Sequence, residues 1–222
     1  MGAGSGVGAN QINHLLHVVN GENMTSVREW AEKAQHMKEK GLSDREIAEE
    51  LHLSPETIAW LLTRRETSEH PPADVKIGWR SIGVFGSRIQ LTAALMVDII
   101  QEEICGCEGG VDTVVGLSVN GVPLAAHISA MMECELAIYR PTAQDSTKGS
   151  FMSNYASVEG KRAVLVDDVI GTGRTLTGAF RALREEGGEP VLGIAVVNKT
   201  PYNVLGDVRI RSLIRARAIS GE

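Results

Sequence analysis

From Thr25 to Lys40 the apolar residues Val27, Trp30, Ala31, Ala34 and Met37 recur three and four positions apart, the spacing of one face of a helix. Gly41 ends that pattern. Ser43, with Glu46 three residues on, forms a capping box and starts a second helix that runs to Leu51. Ser54 caps a third helix with Pro55 at its first position, and the pattern continues to Arg65. Placing small Ala48 at a helix crossing puts Ile47, Leu51, Leu53, Ile58 and Leu61 at the apolar positions of a helix-turn-helix. Its second helix then turns Ser54, Pro55, Glu56, Ala59, Trp60 and Thr63 outward, with Arg64 and Arg65 beside them.

Residues 67–80, "TSEHPPADVKIGWR", are rich in turn formers and carry a Pro-Pro, so they read as a linker. Beyond them the pattern alternates between strands and helices. Residues 87–104 predict an amphipathic helix, 113–119 a buried strand, and 121–133 a helix. "ELAIYR" predicts a strand, 141–160 a long polar stretch, and "RAVLVDD" the next strand. Residues 174–186 predict a helix and 190–198 a strand. "VRIRSLIRARAI" closes the chain as one or two strands, with Arg209, Arg211, Arg215 and Arg217 on one face of a charge-guarded edge. Such alternation means a parallel sheet covered by helices. The expected fold class is α/β: a small all-α helix-turn-helix domain at 24–66, a linker at 67–80, and a parallel-sheet domain at 81–222.

Residues 1–23 begin "MGAGSGVGAN" and read as a flexible leader or tag. With 43% hydrophobic and 23% charged residues, the composition is that of a globular protein. No apolar run is long enough for a membrane span and no signal-peptide pattern opens the chain, so a cytoplasmic protein without membrane contact is expected. The odd set Cys105, Cys107 and Cys134 argues for reduced thiols, and it lacks finger-type zinc spacing. The net charge of −6 does not advertise a polyanionic partner. From 24 to 70, seven Lys/Arg face ten Asp/Glu. The fit to the helix-turn-helix pattern weighs more than this balance, and double-stranded DNA is the expected partner.

"VLVDDVIGTGRTLTG" (164–178) carries the clearest chemistry. Asp167 and Asp168 end a buried strand, at the sheet edge where ligands of parallel sheets bind. Gly171, Thr172, Gly173, Arg174 and Thr175 then open a helix, whose N–H groups suit a phosphate. Ionised carboxylates only accept hydrogen bonds, so they suit hydroxyls. A phosphate at one end and neighbouring hydroxyls at the other describe a ribose 5-phosphate.

This stretch resembles the ribose-phosphate motif of type I phosphoribosyltransferases, with Gly171 where that family often has Thr. "VVGLSVNGVPLAAHIS" resembles the family's pyrophosphate loop. The resemblance implies that Ser118, Asn120 and Gly121 lie near a diphosphate, Gly121 through an unusual backbone dihedral, with Mg²⁺ bridging ligand oxygens. Orotate-type enzymes also bring a Lys/His cluster over the leaving group. The matching stretch here has only Arg140 and Lys148 as cations and no His before Gly160, so no catalytic residue is assigned.

The combination, from "GLSDREIAEELHLSPETIAWLL" to "VDDVIGTGRT", resembles the orotate phosphoribosyltransferase-like transcriptional regulators of the GfcR type. It implies a homodimeric regulator of metabolic genes, such as those of sugar catabolism, that senses a phosphoribosyl compound such as phosphoribosyl diphosphate. The alternative is an orotate-type transferase joining a nucleobase to ribose 5-phosphate.

Overall fold

The computed structural model describes residues 27–63, 74–105, 109–142 and 145–217. The leader, the first half of the linker, Cys107, Arg64 and Arg65 lie outside them. Three helices come first: α1 (Val27–Glu39), α2 (Asp44–Leu51) and α3 (Pro55–Thr63). The capping box forms as expected, with Ser43 Oγ accepting from the Glu46 N–H and Glu46 accepting from the Ser43 N–H. His52 closes α2 in a left-handed conformation (φ 52°), and its N–H reaches back to Ala48 and Glu49. This position usually falls to glycine. Ala34, Ile47, Ala48, Leu51, Ile58 and Leu61 form the core of the unit, with Leu53 and Trp60 packed at its margin.

After α4 (Arg80–Gly83) comes the long α5 (Gly86–Ile104). The sheet domain then runs β1 (Thr113–Leu117), α6 (Ser118–Met132), β2 (Glu135–Pro141), β3 (Gly149–Phe151), β4 (Arg162–Ile170), α7 (Arg174–Glu185), β5 (Glu189–Asn198), β6 (Val204–Leu205) and β7 (Val208–Arg215). The strand order is β3-β2-β1-β4-β5-β7-β6. The five inner strands are parallel, and the short strands β3 and β6 add antiparallel edges. Alternation along β4 sends Ala163 and Leu165 to the face under α7, and Val164 and Val166 to the face under α5 and α6. Both faces are therefore dry, and β4 lies mid-sheet between β1 and β5.

Three expectations need correction. The C-terminal strand is internal rather than a guarded edge, because β6 covers it. Its arginines are partnered: Arg209 and Arg211 pair with Glu102 and Glu103 of α5, while Arg215 and Arg217 bond the 201–203 turn. They tie helix to sheet. The polar stretch 141–160 contains a hairpin strand, β3, paired to β2. Ser118, Asn120 and Gly121 are the first turn of α6 and not a free loop. Gly121 has no positive φ. Its requirement is close approach: a Cβ there would overlap the Val166 carbonyl oxygen and stand 3.1 Å from Asp167 Cα.

Gly121→Ala should therefore lower stability by about 1–3 kcal/mol through overpacking of α6 on β4. Urea unfolding would measure it, and an unchanged midpoint would contradict the close approach.

Candidate functional site

β4 delivers Asp167 and Asp168 to the C-terminal edge of the sheet, with 9% and 5% of each exposed. Asp167 Oδ1 accepts from the Asp168 N–H at 2.9 Å. Asp168 Oδ2 is buried and has no hydrogen-bond partner among the described residues. Burial first, and the Asp168 charge second, push the Asp167 carboxyl well above its ordinary 3.8. The pair thus tends to hold a proton rather than two full charges.

The loop after β4 opens α7. Gly173 takes the left-handed conformation (φ 78°) at the N-cap position, and no side chain caps the helix there. Thr172 is exposed, Arg174 is exposed, and Thr175 is half-buried. The Arg174 N–H meets the Thr172 hydroxyl at 3.4 Å, and the start of α7, which has no N-cap side chain, lines the cleft, which suits an anion.

Asp167, Asp168, Gly171, Thr172, Gly173, Arg174, Thr175 and Asn120 line one cleft of about 900 Å³. That is the size range of small-molecule sites. Gly121 is not among its lining residues, and neither are Arg140 and Lys148. Arg140 is exposed on β2 opposite Ser150, and the Lys148 backbone closes the hairpin against Thr142 and Asp145.

The other wall of the cleft comes from the helical unit, which the sequence did not suggest. Arg45, Glu49 and His52 of α2 and its cap line it, as do Ser54 and Pro55 at the start of α3. His52 Nε2 accepts the Trp79 indole N–H at 3.2 Å and stands 3.7 Å from Asp168 Oδ2. One ring nitrogen cannot accept from Trp79 and donate to Asp168, and 3.7 Å exceeds hydrogen-bond range, so the second approach is a contact only. Arg45 donates to the Thr142 carbonyl at 2.7 Å and clasps Glu49.

At the cleft margin, Asp74 accepts from the Ser54 N–H (2.6 Å), the Thr57 hydroxyl (3.1 Å), the Val75 N–H (2.7 Å) and Lys199 (2.6 Å). Burial raises the Asp74 carboxyl, but the Lys199 and Ser54 bonds outweigh it and hold the group below 3.8. His52 alone carried a trace of this role, as a non-glycine residue where a helix ends left-handed. Asp74 and Lys199 sit in no motif.

Of the residues expected to face DNA, Pro55, Glu56, Ala59 and Thr63 are exposed on α3. Ser54 is turned into the junction, capping α3 through Thr57 while its N–H serves Asp74. Trp60 is half-buried against the helical core. Both differ from the outward placement expected of them.

The model of the phosphoribosyl transferase domain matches residues 82–204. The transcriptional regulator GfcR of Thermoplasma acidophilum is 46% identical over 198 residues, 89% of this chain and 100% of that protein. The GfcR of Picrophilus torridus is 43% identical, covering 86% and 98%. The chain belongs to the GfcR family of transcriptional regulators. Among solved structures, the adenine phosphoribosyltransferase of Saccharomyces cerevisiae matches with a TM-score of 0.52 at 14% identity, over 77% of this chain and 98% of that one. That likeness shows the phosphoribosyltransferase fold alone. This GfcR-family chain therefore combines a three-helix unit with a type I phosphoribosyltransferase-like sheet domain. No helix among its described residues is long and apolar enough to cross a membrane.

The raised Asp167 carboxyl has a sign that can be checked. The folded chain holds a proton there above 3.8 that the unfolded chain has lost, so this group costs stability as pH rises from 3.8 toward its folded value. Asp167→Asn removes that cost and keeps an oxygen for the Asp168 N–H. The variant should melt higher than the parent at about pH 7.5, with the gain shrinking toward about pH 4. A melting difference that does not change with pH would refute the assignment.

Proposed function

We propose that this protein is a DNA-binding transcriptional regulator whose sheet domain senses a phosphoribosyl compound, with phosphoribosyl diphosphate as the first candidate. The observation that carries this reading is Asp168 Oδ2, a buried acceptor on the floor of a cleft with no donor among the described residues. Beside it lies an uncapped helix N-terminus. A ribose hydroxyl supplies the donor and a 5-phosphate meets the loop of residues 171–175. Asn120, at the start of α6, also lines the cleft and is the residue proposed to meet the diphosphate.

Among the described residues no cluster of His, Cys, Asp and Glu is arranged to hold a metal. A Mg²⁺ ion arriving with a diphosphate would be held by the ligand's own oxygens, where it would offset their charge.

The proposed DNA face is the exposed side of α3, and two copies related by a twofold axis would match a two-part site. The regulated genes are proposed to be metabolic, with sugar catabolism the class that the family resemblance suggests. The transferase alternative draws on the fold itself, but the His52 and Lys199 that line the cleft are engaged by Trp79 and Asp74 rather than offered to a departing diphosphate.

Replacing Asp167 and Asp168 together by Asn should weaken phosphoribosyl diphosphate binding by tenfold or more, roughly the loss of one charge-assisted hydrogen bond. Titration calorimetry measures this, and equal affinity would refute the site. Selection of genomic DNA fragments with and without the compound tests the regulator. A few specific fragments whose recovery the compound changes are expected. No specific fragments, together with pyrophosphate release in the presence of a nucleobase, would establish the transferase instead.

A further inference from the structure

The start of α3 is where a recognition helix would meet a DNA phosphate: free N–H groups and the positive end of a helix dipole collect there. In this structure a carboxylate already occupies that place. Asp74, from the segment joining the two domains, accepts the Ser54 N–H and the Thr57 hydroxyl. Lys199, at the end of β5, holds Asp74 from the other side at 2.6 Å. The pair is well shielded, with 12% of the Lys199 side chain and 9% of that of Asp74 exposed. Lys199 also lines the cleft, and its backbone N–H bonds the Ile170 carbonyl just before the phosphate loop.

We propose that Asp74 and Lys199 form a lock coupling the effector cleft to α3, in which Asp74 fills the anion site of α3 and Lys199 holds it there from the cleft wall. The lock rests on the reading of the cleft as a phosphoribosyl site. An anionic group brought into the cleft competes with Asp74 for one ammonium. Asp74, shielded from water and losing its counter-charge, then has reason to leave. Its departure returns the Ser54 N–H and the Thr57 hydroxyl, at the start of α3, to an outside phosphate. Ser54 and Pro55 leave the cleft wall in the same movement, so the ligand and the locked arrangement exclude one another. Coupling of this kind is reciprocal: whatever releases the lock must tighten the ligand.

Asp74→Asn in the full chain is the discriminating variant. It keeps an oxygen for the Ser54 N–H and loses the charge that engages Lys199. Phosphoribosyl diphosphate with Mg²⁺, titrated calorimetrically, should bind the variant about fivefold or more tighter than the parent. A purely structural Asp74 predicts equal or weaker binding, and either of those results overturns the lock.

Without ligand, amide hydrogen exchange across 43–63 should be faster in the variant than in the parent. Equal rates also overturn the lock. Unchanged helical circular dichroism would show that the variant is folded. Thr57→Val, which removes one donor to Asp74 and leaves every charge in place, should shift affinity in the same direction and covers the case of a misfolded Asn variant. If neither protein binds the compound and residues 165–177 gain no protection from exchange, the cleft reading falls and the coupling with it. The exchange comparison without ligand then still decides whether Asp74 restrains α3.

Discussion

A carboxylate oxygen taken out of water needs a donor, and Asp168 Oδ2 has none among the described residues. The strand that carries it is mid-sheet and covered on both faces, so Asp168 cannot swing out to solvent without unpicking β4. The same constraint acts on Asp167, where burial and the neighbouring charge favour a retained proton. α6 can approach this strand only because Gly121 has no side chain to meet the Val166 carbonyl. The sheet domain thus holds this unsatisfied oxygen in place at its open edge. What satisfies it must come from above, from a ligand or from whatever covers the cleft.

In this chain the cover is the three-helix unit. Its ties are of unequal quality. Arg28 and Glu32 pair on the outer surface of α1, with 84% and 64% of their side chains exposed. Exposed pairs of this kind contribute roughly 0–1 kcal/mol. The Lys199–Asp74 pair is shielded and fully bonded, so removing one member would strand the other in a dry place. Arg45, reaching the Thr142 carbonyl, and Lys76, stacked over the Trp30 ring at 3.9 Å, complete the seam. The ties lie at separate points around the cleft, so the helical unit is held as the roof of the site.

Local chemistry was legible in the sequence. The capping box at Ser43, the Pro55 start of α3, the apolar set around Ala48 and the Asp-Asp strand end all act within a few residues of themselves, and each took the form expected. Gly121 was singled out for the wrong reason: a residue-level pattern cannot separate a special dihedral from a close approach to another strand. The C-terminal arginines were misread as an edge because the partner carboxylates, Glu102 and Glu103, lie on a helix about a hundred positions earlier. Lys199 and Asp74, 125 residues apart, were invisible for the same reason. A junction between domains is a relation between distant segments, and it leaves no periodicity behind.

The acidic balance of the helical unit also takes on a different meaning once its acids are placed. Glu46 is spent on the capping box, Glu49 on Arg45, Asp44 on Lys38 and Glu32 on Arg28. They belong to α1 and α2, and several of them face the cleft. Along the outward side of α3 the exposed residues Pro55, Ala59 and Thr63 carry no charge, and Glu56 is the acid among them. Phosphates respond to the charge of the face they meet within about a Debye length of 8–10 Å, not to a domain total. The negative sum therefore argues less against the proposed DNA face than it does from the sequence alone. The acid that most opposes a phosphate at α3 lies outside that sum: Asp74, seated at the helix N-terminus by a lysine from the sheet domain.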